Sequence, residues 1–136
     1  MSFKMDNDCR YAETHEWIRV DGDVGLVGIT DYAQHQLNDV VYVELPEIGD
    51  SFGKSDVYAV VESVKAAADC SLPASGEILE VNEGLEDRPQ SVNEDPFGDG
   101  WFVKVRLTDV TELDGLMDAT AYEKLVEEEL EGEGGH

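Results

Sequence analysis

Short runs of β-prone residues, separated by turn residues, occupy most of the first 107 positions of the chain. Residues 17–20 and 24–30 are two such runs, and the acidic, glycine-containing segment 21–23 lies between them, which predicts a β-hairpin. Later segments also alternate apolar with polar residues or form short apolar runs bounded by turn signals. The strands predicted there are 40–45, 57–63, 76–81 and 101–107.

Two segments have the pattern of a helix rather than of a strand. Residues 31–37 follow Thr30, a favourable N-cap residue, and end before Asn38. From residue 118 onward, apolar residues recur at helical spacing. They are Ala119, Tyr122, Leu125, Val126 and Leu130.

These elements predict one mainly β domain that covers residues 1–136. We expect its core at about 11–107, a helical segment at about 109–130, and an acidic, glycine-rich tail at 131–136 that frays. A long polar connection is expected at 82–100. Many short strands in a small domain favour a sandwich or flattened barrel with short peripheral helices and a C-terminal helix.

The chain is strongly acidic, with 32 Asp and Glu residues, 9 Lys and Arg residues and a formal net charge of −23. Nucleic acids and membrane surfaces bind clustered basic residues, and here the basic residues are dispersed among acids, so neither partner is expected. Repulsion between the acids opposes compaction, and high salt screens it. We therefore expect adaptation to a salty cytoplasm, as in a halophilic prokaryote. The alternative is an acidic protein that docks on basic partners.

The sequence also indicates where the protein works. No stretch approaches the roughly 18 consecutive apolar residues of a membrane-spanning helix. Residues 1–8 lack the apolar core of a secretory signal and the composition of a transit peptide, so a cytoplasmic protein is expected. Cys9 and Cys70 fit neither a CxxC motif nor a disulfide framework, and both are expected to be reduced thiols.

One lysine stands at the end of an apolar run. Residues 57–69 read VYAVVESVKAAAD, and a further predicted strand begins at Gly76, so Lys65 is expected at or near the turn of a hairpin-like unit. A solubilising turn lysine is the ordinary interpretation. Its neighbours favour a specific role, because Glu62 precedes it by three residues, Ala66 directly follows, and Gly76 lies eleven residues after it.

The segment 62–66, Glu-Ser-Val-Lys-Ala, resembles the lipoyl-attachment motif of the glycine cleavage system H-protein family. The resemblance covers about residues 11–129 in the family's order. It implies a barrel-sandwich hybrid, the flattened barrel of lipoyl and biotinyl domains, with the modified lysine on a hairpin turn. The other segments that carry it are 15–17 (His-Glu-Trp), 28–34, 39–46, 75–78 and 92–101.

The resemblance implies a non-catalytic carrier with lipoate attached covalently to Lys65. In this family the lipoyl arm takes an aminomethyl group from glycine decarboxylase and presents it to aminomethyltransferase, and dihydrolipoyl dehydrogenase reoxidises the dithiol. A lipoylating enzyme attaches the arm, and the resemblance implies that it recognises Glu62, Ala66 and Gly76. Gly76 is expected to act structurally, because a residue without Cβ permits a tight backbone where its strand begins.

The aminomethyl group that the arm carries, here called the cargo, would interact favourably with nearby acidic residues. An aminomethyl group carries an ammonium at neutral pH, and carboxylates favour that charge more strongly in a cleft than in open water. Glu16, in the His-Glu-Trp segment, and Asp69, four residues past the lysine, are the candidates to shelter the arm. For each of them a solvated surface position is the alternative.

Two departures from the family pattern affect local structure. Asn38 stands where a glycine is usual, and asparagine is the next-best residue for positive φ, so the turn is expected to persist. Residues 70–72, Cys-Ser-Leu, replace a segment that more often ends in Ser-Pro, which alters the packing expected beside Lys65.

Two other functions remain as alternatives. One is an H-like relay protein that passes lipoyl groups to other proteins. The other is a lipoyl domain of the 2-oxoacid dehydrogenase type or a biotin carrier, which the His-Glu-Trp segment disfavours. No metal site is predicted, because His15, His35 and His136 have no ligand spacing with Cys9 or Cys70. No catalytic residue is predicted either, since the chain has no Gly-x-Ser-x-Gly or phosphate-loop motif.

Overall fold

The structure is a computed structural model in which residues 3–134 are described. Within that range runs of short antiparallel strands are separated by short helices, and a longer helix comes last. The strands are β1 (Arg10–Tyr11), β2 (Glu16–Asp21), β3 (Val24–Ile29), β4 (Val40–Glu44), β5 (Ser51–Phe52), β6 (Val57–Ser63), β7 (Ala67–Ser71), β8 (Gly76–Val81) and β9 (Val103–Leu107). The helices are α1 (Asp31–Leu37), α2 (Gly84–Asp87), α3 (Ser91–Glu94) and α4 (Ala119–Gly134), with a 3-10 helix at Val110–Gly115.

The strands form two antiparallel sheets. One contains six strands in the order β1-β2-β3-β9-β8-β5, and the other contains β4-β6-β7. The main core cluster draws residues from both sheets, including Ile18, Val61 and Val105. The alternation predicted for the last core strand is observed, because the apolar residues of β9 are buried and Lys104 and Arg106 are not. The mainly β prediction is confirmed, with two sheets that do not join into a closed barrel within the described residues.

Helix α1 begins and ends as the sequence predicts. The Thr30 hydroxyl accepts a hydrogen bond from Ala33 N at 3.1 Å and caps the helix. At the other end Asn38 has φ +66° and ψ −153°, a backbone region that glycine adopts far more readily than asparagine, and its N–H donates to Gln34 O. The N-cap at Thr30 and the C-cap at Asn38 fix the length of α1 and therefore the position of its C-terminal carbonyls.

The strand that pairs with β6 differs from the expected one. The sequence pattern suggests a hairpin between β6 and the strand that begins at Gly76. In the structure β6 pairs with β7, and β8 lies in the other sheet. Residues 67–71, Ala-Ala-Asp-Cys-Ser, contain no β-branched or aromatic residue and so have a weak strand signal. Backbone pairing across a tight turn makes them a strand, and the lysine hairpin is consequently short.

The polar connection at 82–100 also contains structure that the sequence analysis does not predict, namely α2 and α3. Each of these one-turn helices buries one apolar residue, Leu85 in α2 and Val92 in α3. The Asn82 side chain donates to the carbonyls of Asp99 and Trp101, both at 2.8 Å, and so ties the two ends of the connection together. A single apolar anchor for each turn is too weak a pattern to predict a helix.

The predicted C-terminal helix is present as α4. Ala119, Tyr122 and Val126 are buried on it, and Leu125 and Leu130 pack partly against the same cluster, which includes Trp17. Helix α4 continues through residues 131–134, where the sequence predicts an acidic tail after the helix, and residues 135–136 lie outside the described residues. Neither α4 nor any other helix within residues 3–134 combines the length and apolar character needed to cross a membrane.

Candidate functional site

Lys65 lies in the loop of residues 64–66 that connects β6 to β7. Ser63 N donates to Ala66 O at 2.8 Å and closes the loop. The Ser63 hydroxyl also donates to Ala66 O and accepts from the amides of Lys65 and Ala66, each at 3.1 Å. Val64 N donates to Asp39 O at 2.9 Å and joins the loop to the residues before β4. The backbone of the loop is therefore fixed, while the Lys65 side chain is exposed.

The Lys65 amine lies over the end of α1. Its Nζ donates to Gln36 O at 3.4 Å. Gln36 is in the last turn of α1, where backbone carbonyls carry the negative end of the helix dipole and attract a cation. This bond is long and the Lys65 side chain is exposed, so the amine is held only weakly.

Helix α1 forms one wall of a cavity of about 260 Å³, here called the α1 cavity. The turn before β2 and the strand β7 form the other walls. Gln36, which accepts from Lys65 Nζ, lines this cavity, so the amine lies at its edge. Apolar side chains come from Ile29, Tyr32, Ala33, Leu37 and Ala68, and polar ones from Thr14, His15, Glu16 and Asp69.

Glu16 is the buried acid of the α1 cavity, with 2% of its surface exposed. Its Oε1 accepts from the Thr14 hydroxyl and its Oε2 from Ser71 N at 3.0 Å, so the carboxylate joins β2 to β7 across the two sheets. Burial raises the pKa of Glu16 from 4.5 to about 7, although the hydrogen bonds from Thr14 and Ser71 oppose the rise. The group is therefore close to half ionised at neutral pH.

The raised pKa of Glu16 predicts a pH-dependent stability that Glu16→Gln removes. The folded state holds the Glu16 proton more tightly than the unfolded state, so this contribution to stability is present below pH 4.5 and is lost as the pH rises to about 7. From pH ~5 to ~8 the wild type should lose about 2 to 3 kcal/mol more of its unfolding free energy than Glu16→Gln. Urea unfolding of both proteins at the two pH values measures this, and equal losses would contradict it.

The other predicted site residues lie at different places. Asp69 is exposed on β7 and lines the α1 cavity, so the structure brings it to the same cavity as Glu16. Glu62 and Ala66 are exposed beside Lys65 on the hairpin. Gly76 is not part of this group, because it begins β8 in the six-stranded sheet.

Gly76 has a packing reason to lack a side chain. A Cβ built there would lie 2.5 Å from Arg106 O and 3.3 Å from the Val105 side chain on β9. Its φ is not in the left-handed region, so close approach of β9, rather than backbone conformation, requires the glycine. The structural role expected for Gly76 thus has a definite cause.

Cys70, one of the departures from the family pattern, fills part of the cavity wall. It is a free thiol with 3% of its surface exposed, and Cys9 is free and buried in the other core cluster. Burial raises the pKa of the Cys70 thiol, and the charges of Glu16 and Asp69 raise it further. The thiolate, which is the reactive form, is therefore disfavoured at neutral pH.

Several residues of the site lie outside the sequence-based prediction. Ser63 closes the lysine loop, and its position before a two-residue turn, where serine is favoured, is the signal that could have identified it. Gln36 and Leu37 line the α1 cavity but have no distinctive pattern. Within residues 3–134 no three of the His, Cys, Asp and Glu side chains are placed to hold a metal ion, and His136 lies outside that range.

The chain is similar in sequence to proteins of a known family. A model of the family described as glycine cleavage H-protein matches residues 9–129. The chain is 56% identical over 121 residues to the glycine cleavage system H protein of Parvibaculum lavamentivorans, covering 89% of this chain and 97% of that one. It is 52% identical over 127 residues to the H protein of Carboxydothermus hydrogenoformans, covering 93% and 98%.

A solved structure shows the same fold. The crystal structure of a glycine cleavage system H protein from Mycobacterium marinum superposes with a TM-score of 0.80 at 35% identity, covering 97% of this chain and 100% of that one. This confirms the barrel-sandwich prediction and the predicted family. The matches favour neither the lipoyl-relay protein nor the 2-oxoacid dehydrogenase domain. The chain therefore belongs to the glycine cleavage H-protein family, whose members are non-catalytic carriers of covalently attached lipoate.

Proposed function

We propose that lipoate is attached to the ε-amine of Lys65. The observation that carries this proposal is the position of the amine, exposed on a hydrogen-bonded loop and 3.4 Å from Gln36 O at the edge of the α1 cavity. Acylation removes the positive charge and with it the attraction to the end of α1. The lipoylating enzyme would contact Glu62 and Ala66 on the same hairpin, and Gly76 would act through the shape of the domain.

The α1 cavity fits a lipoyl arm that ends in a cation. Its apolar wall suits a hydrocarbon chain, and Glu16 and Asp69 supply carboxylates. When bound, lipoate supplies a disulfide that accepts the aminomethyl group on one sulfur and is left as a dithiol once the group has been passed on. Thr14 and Ser71 hold the Glu16 carboxylate in place beforehand.

Glu16 and Asp69 would keep a proton on the amine of the cargo. Carboxylates near an ammonium raise its affinity for the proton, more strongly at buried Glu16 than at exposed Asp69. A protonated amine has no lone pair with which to expel the neighbouring sulfur, so the cargo persists until a partner takes it. The cation in turn favours the ionised form of Glu16.

The proposed partners are those of glycine cleavage. Glycine decarboxylase would load the carrier, aminomethyltransferase would unload it, and dihydrolipoyl dehydrogenase would reoxidise it. The proposed location is the cytoplasm. The nine basic residues are dispersed among 32 acids, so we propose no nucleic-acid or membrane partner.

The decisive test is the lifetime of the loaded carrier. Lipoylated protein incubated with glycine and glycine decarboxylase should support glycine–bicarbonate exchange and become loaded, and mass spectrometry then follows loss of the aminomethyl group. We expect Glu16→Gln to lose it about tenfold faster, the effect of about one pKa unit in proton affinity. Asp69→Asn should have a smaller effect, because solvent screens its charge.

The matched control is Glu44→Gln, which removes an exposed carboxylate on β4 outside the α1 cavity. It should retain the wild-type lifetime. Wild-type lifetimes for both Glu16→Gln and Asp69→Asn would refute the shelter role. An absence of glycine–bicarbonate exchange with the lipoylated wild type would instead support a relay function.

We further propose that the protein is adapted to high salt. The net charge of −23 on 136 residues implies repulsion that salt screens. We expect the melting temperature to rise between low and molar KCl. A melting temperature that stays constant or falls over this range would contradict the adaptation.

A further inference from the structure

His15 has an unusual backbone conformation directly before Glu16. Its φ is +75°, a left-handed value that is uncommon for residues other than glycine, although histidine and asparagine adopt it more often than most. It ends the turn between β1 and β2, where His15 N donates to Ala12 O at 3.0 Å and Ala12 N donates to Glu16 O at 2.9 Å. Such a conformation persists only where the surroundings hold it.

The imidazole of His15 has partners on α4. Its Nδ1 lies 2.8 Å from the Tyr122 hydroxyl, and its Nε2 lies 3.1 Å from Oε2 and 3.3 Å from Oε1 of Glu129. The ring also packs against Tyr32 of α1, with 5.0 Å between centroids. The ring is therefore held between two helices while it lines the α1 cavity.

A second set of contacts ties the same turn to the start of α1. The Tyr122 hydroxyl lies 2.6 Å from the Thr30 hydroxyl, and Thr30 N donates to His15 O at 3.1 Å. Tyr122 is fully buried, so this connection is not open to water. Thr30, Tyr122, His15 and Glu129 consequently form one continuous chain of polar contacts from α1 to α4.

We propose that His15 is a positioning residue for the shelter, in which Tyr122 and Glu129 of α4 hold its ring and thereby fix the turn that directs the Glu16 carboxylate into the α1 cavity. This inference rests on the proposed function of Glu16. Thr14, which donates to Glu16 Oε1, belongs to the same turn, whereas Ser71, which donates to Oε2, belongs to β7. A shift of the turn would therefore move Glu16 and Thr14 together and break the bond to Ser71.

The Ser71 amide gives a readout that needs no lipoate. In unlipoylated protein, hydrogen exchange of this amide, measured by NMR, reports whether Glu16 is in place. We expect exchange to be about tenfold faster in Glu129→Ala and in His15→Asn, the effect of losing one charge-assisted hydrogen bond. His15→Asn retains a residue that tolerates positive φ, so it separates the contacts of the ring from the backbone conformation.

The control is Glu128→Ala, which removes an exposed acid next to Glu129 without a contact to His15. It should exchange at the wild-type rate. In the loaded carrier, Glu129→Ala and His15→Asn should both shorten the lifetime of the aminomethyl group. The variant with the faster Ser71 exchange should have the shorter lifetime. Melting temperatures identify any variant that unfolds globally.

Wild-type Ser71 exchange in both Glu129→Ala and His15→Asn would overturn the positioning role. A second outcome is faster Ser71 exchange in these variants and in Glu16→Gln, with a wild-type aminomethyl lifetime in all of them. It would support the positioning of Glu16 by His15 but refute the shelter role of Glu16. The two failures are thus distinguishable. If Glu128→Ala speeds exchange as much as Glu129→Ala does, the effect belongs to the charge of α4 and the contact with His15 is refuted as its cause.

Discussion

Lys65→Arg is expected to abolish lipoylation and, with it, every carrier activity. Formation of the amide requires a primary amine that can lose its proton, and a guanidinium with a pKa above about 12 stays charged and delocalised. Arginine retains the charge that contacts Gln36 O, and the loop is closed by Ser63 rather than by the lysine side chain. The variant should therefore fold with a wild-type melting temperature and fail only in modification.

The measurement is intact and peptide mass spectrometry of protein made in lipoate-replete cells of its own source. The peptide that contains Lys65 should gain the mass of one lipoyl group, and Lys65→Arg should lack it and give background glycine–bicarbonate exchange. Lys54→Arg is the matched control, because Lys54 is also exposed but its Nζ contacts Glu112 O, away from the hairpin. An unmodified Lys65 peptide in wild-type protein would discard this assignment.

The loop that presents Lys65 could be predicted because local chemistry determines it. The cap at Thr30, the positive φ at Asn38 and the alternation in β9 are each set within a few residues. A motif of five residues around the lysine similarly identifies an exposed turn. In each case the signal lies in the neighbouring residues, although distant segments also contribute contacts, such as Asp39 O, which accepts from Val64 N in the lysine loop.

The α1 cavity could not be predicted in this way, because contacts between distant segments build it. Glu16 accepts from the amide of Ser71, 55 residues away, and only this arrangement makes it a buried acid rather than one more surface carboxylate among 32. The strand β7, which supplies that amide, has little strand propensity of its own. Its position follows from the closure of the loop at Ser63 and Ala66.

The same tight loop thus affects both Lys65 and the α1 cavity. It exposes Lys65 on one side, and it sets the register that places Asp69 of β7 against the cavity that contains Glu16 and the Ser71 amide against the Glu16 carboxylate. A change of register by one residue would turn alternate β7 side chains to the opposite face, so Asp69 would leave the cavity. Loop closure and the proposed cargo shelter are therefore coupled through β7.

Gly76→Ala is expected to destabilise the fold without a direct effect on the hairpin. A Cβ at this position would lie 2.5 Å from Arg106 O, and the backbone of β9 cannot yield without disturbing its pairs with β3 and β8. Overpacking of this kind costs about 2 to 3 kcal/mol. In a domain of this size that lowers the melting temperature by roughly 10 °C.

Gly132→Ala is the matched control for Gly76→Ala, because a Cβ on exposed Gly132 of α4 meets nothing within 4 Å and alanine favours a helix. It should be neutral or slightly stabilising, and an unchanged melting temperature in Gly76→Ala would contradict the packing argument.

Lipoylation in vitro, at a temperature below the unfolding transition, then tests whether the lipoylating enzyme recognises Gly76. If Gly76 acts only through the shape of the domain, folded Gly76→Ala should be modified at a near wild-type rate. Loss of modification in a folded variant would show that the lipoylating enzyme contacts this position directly.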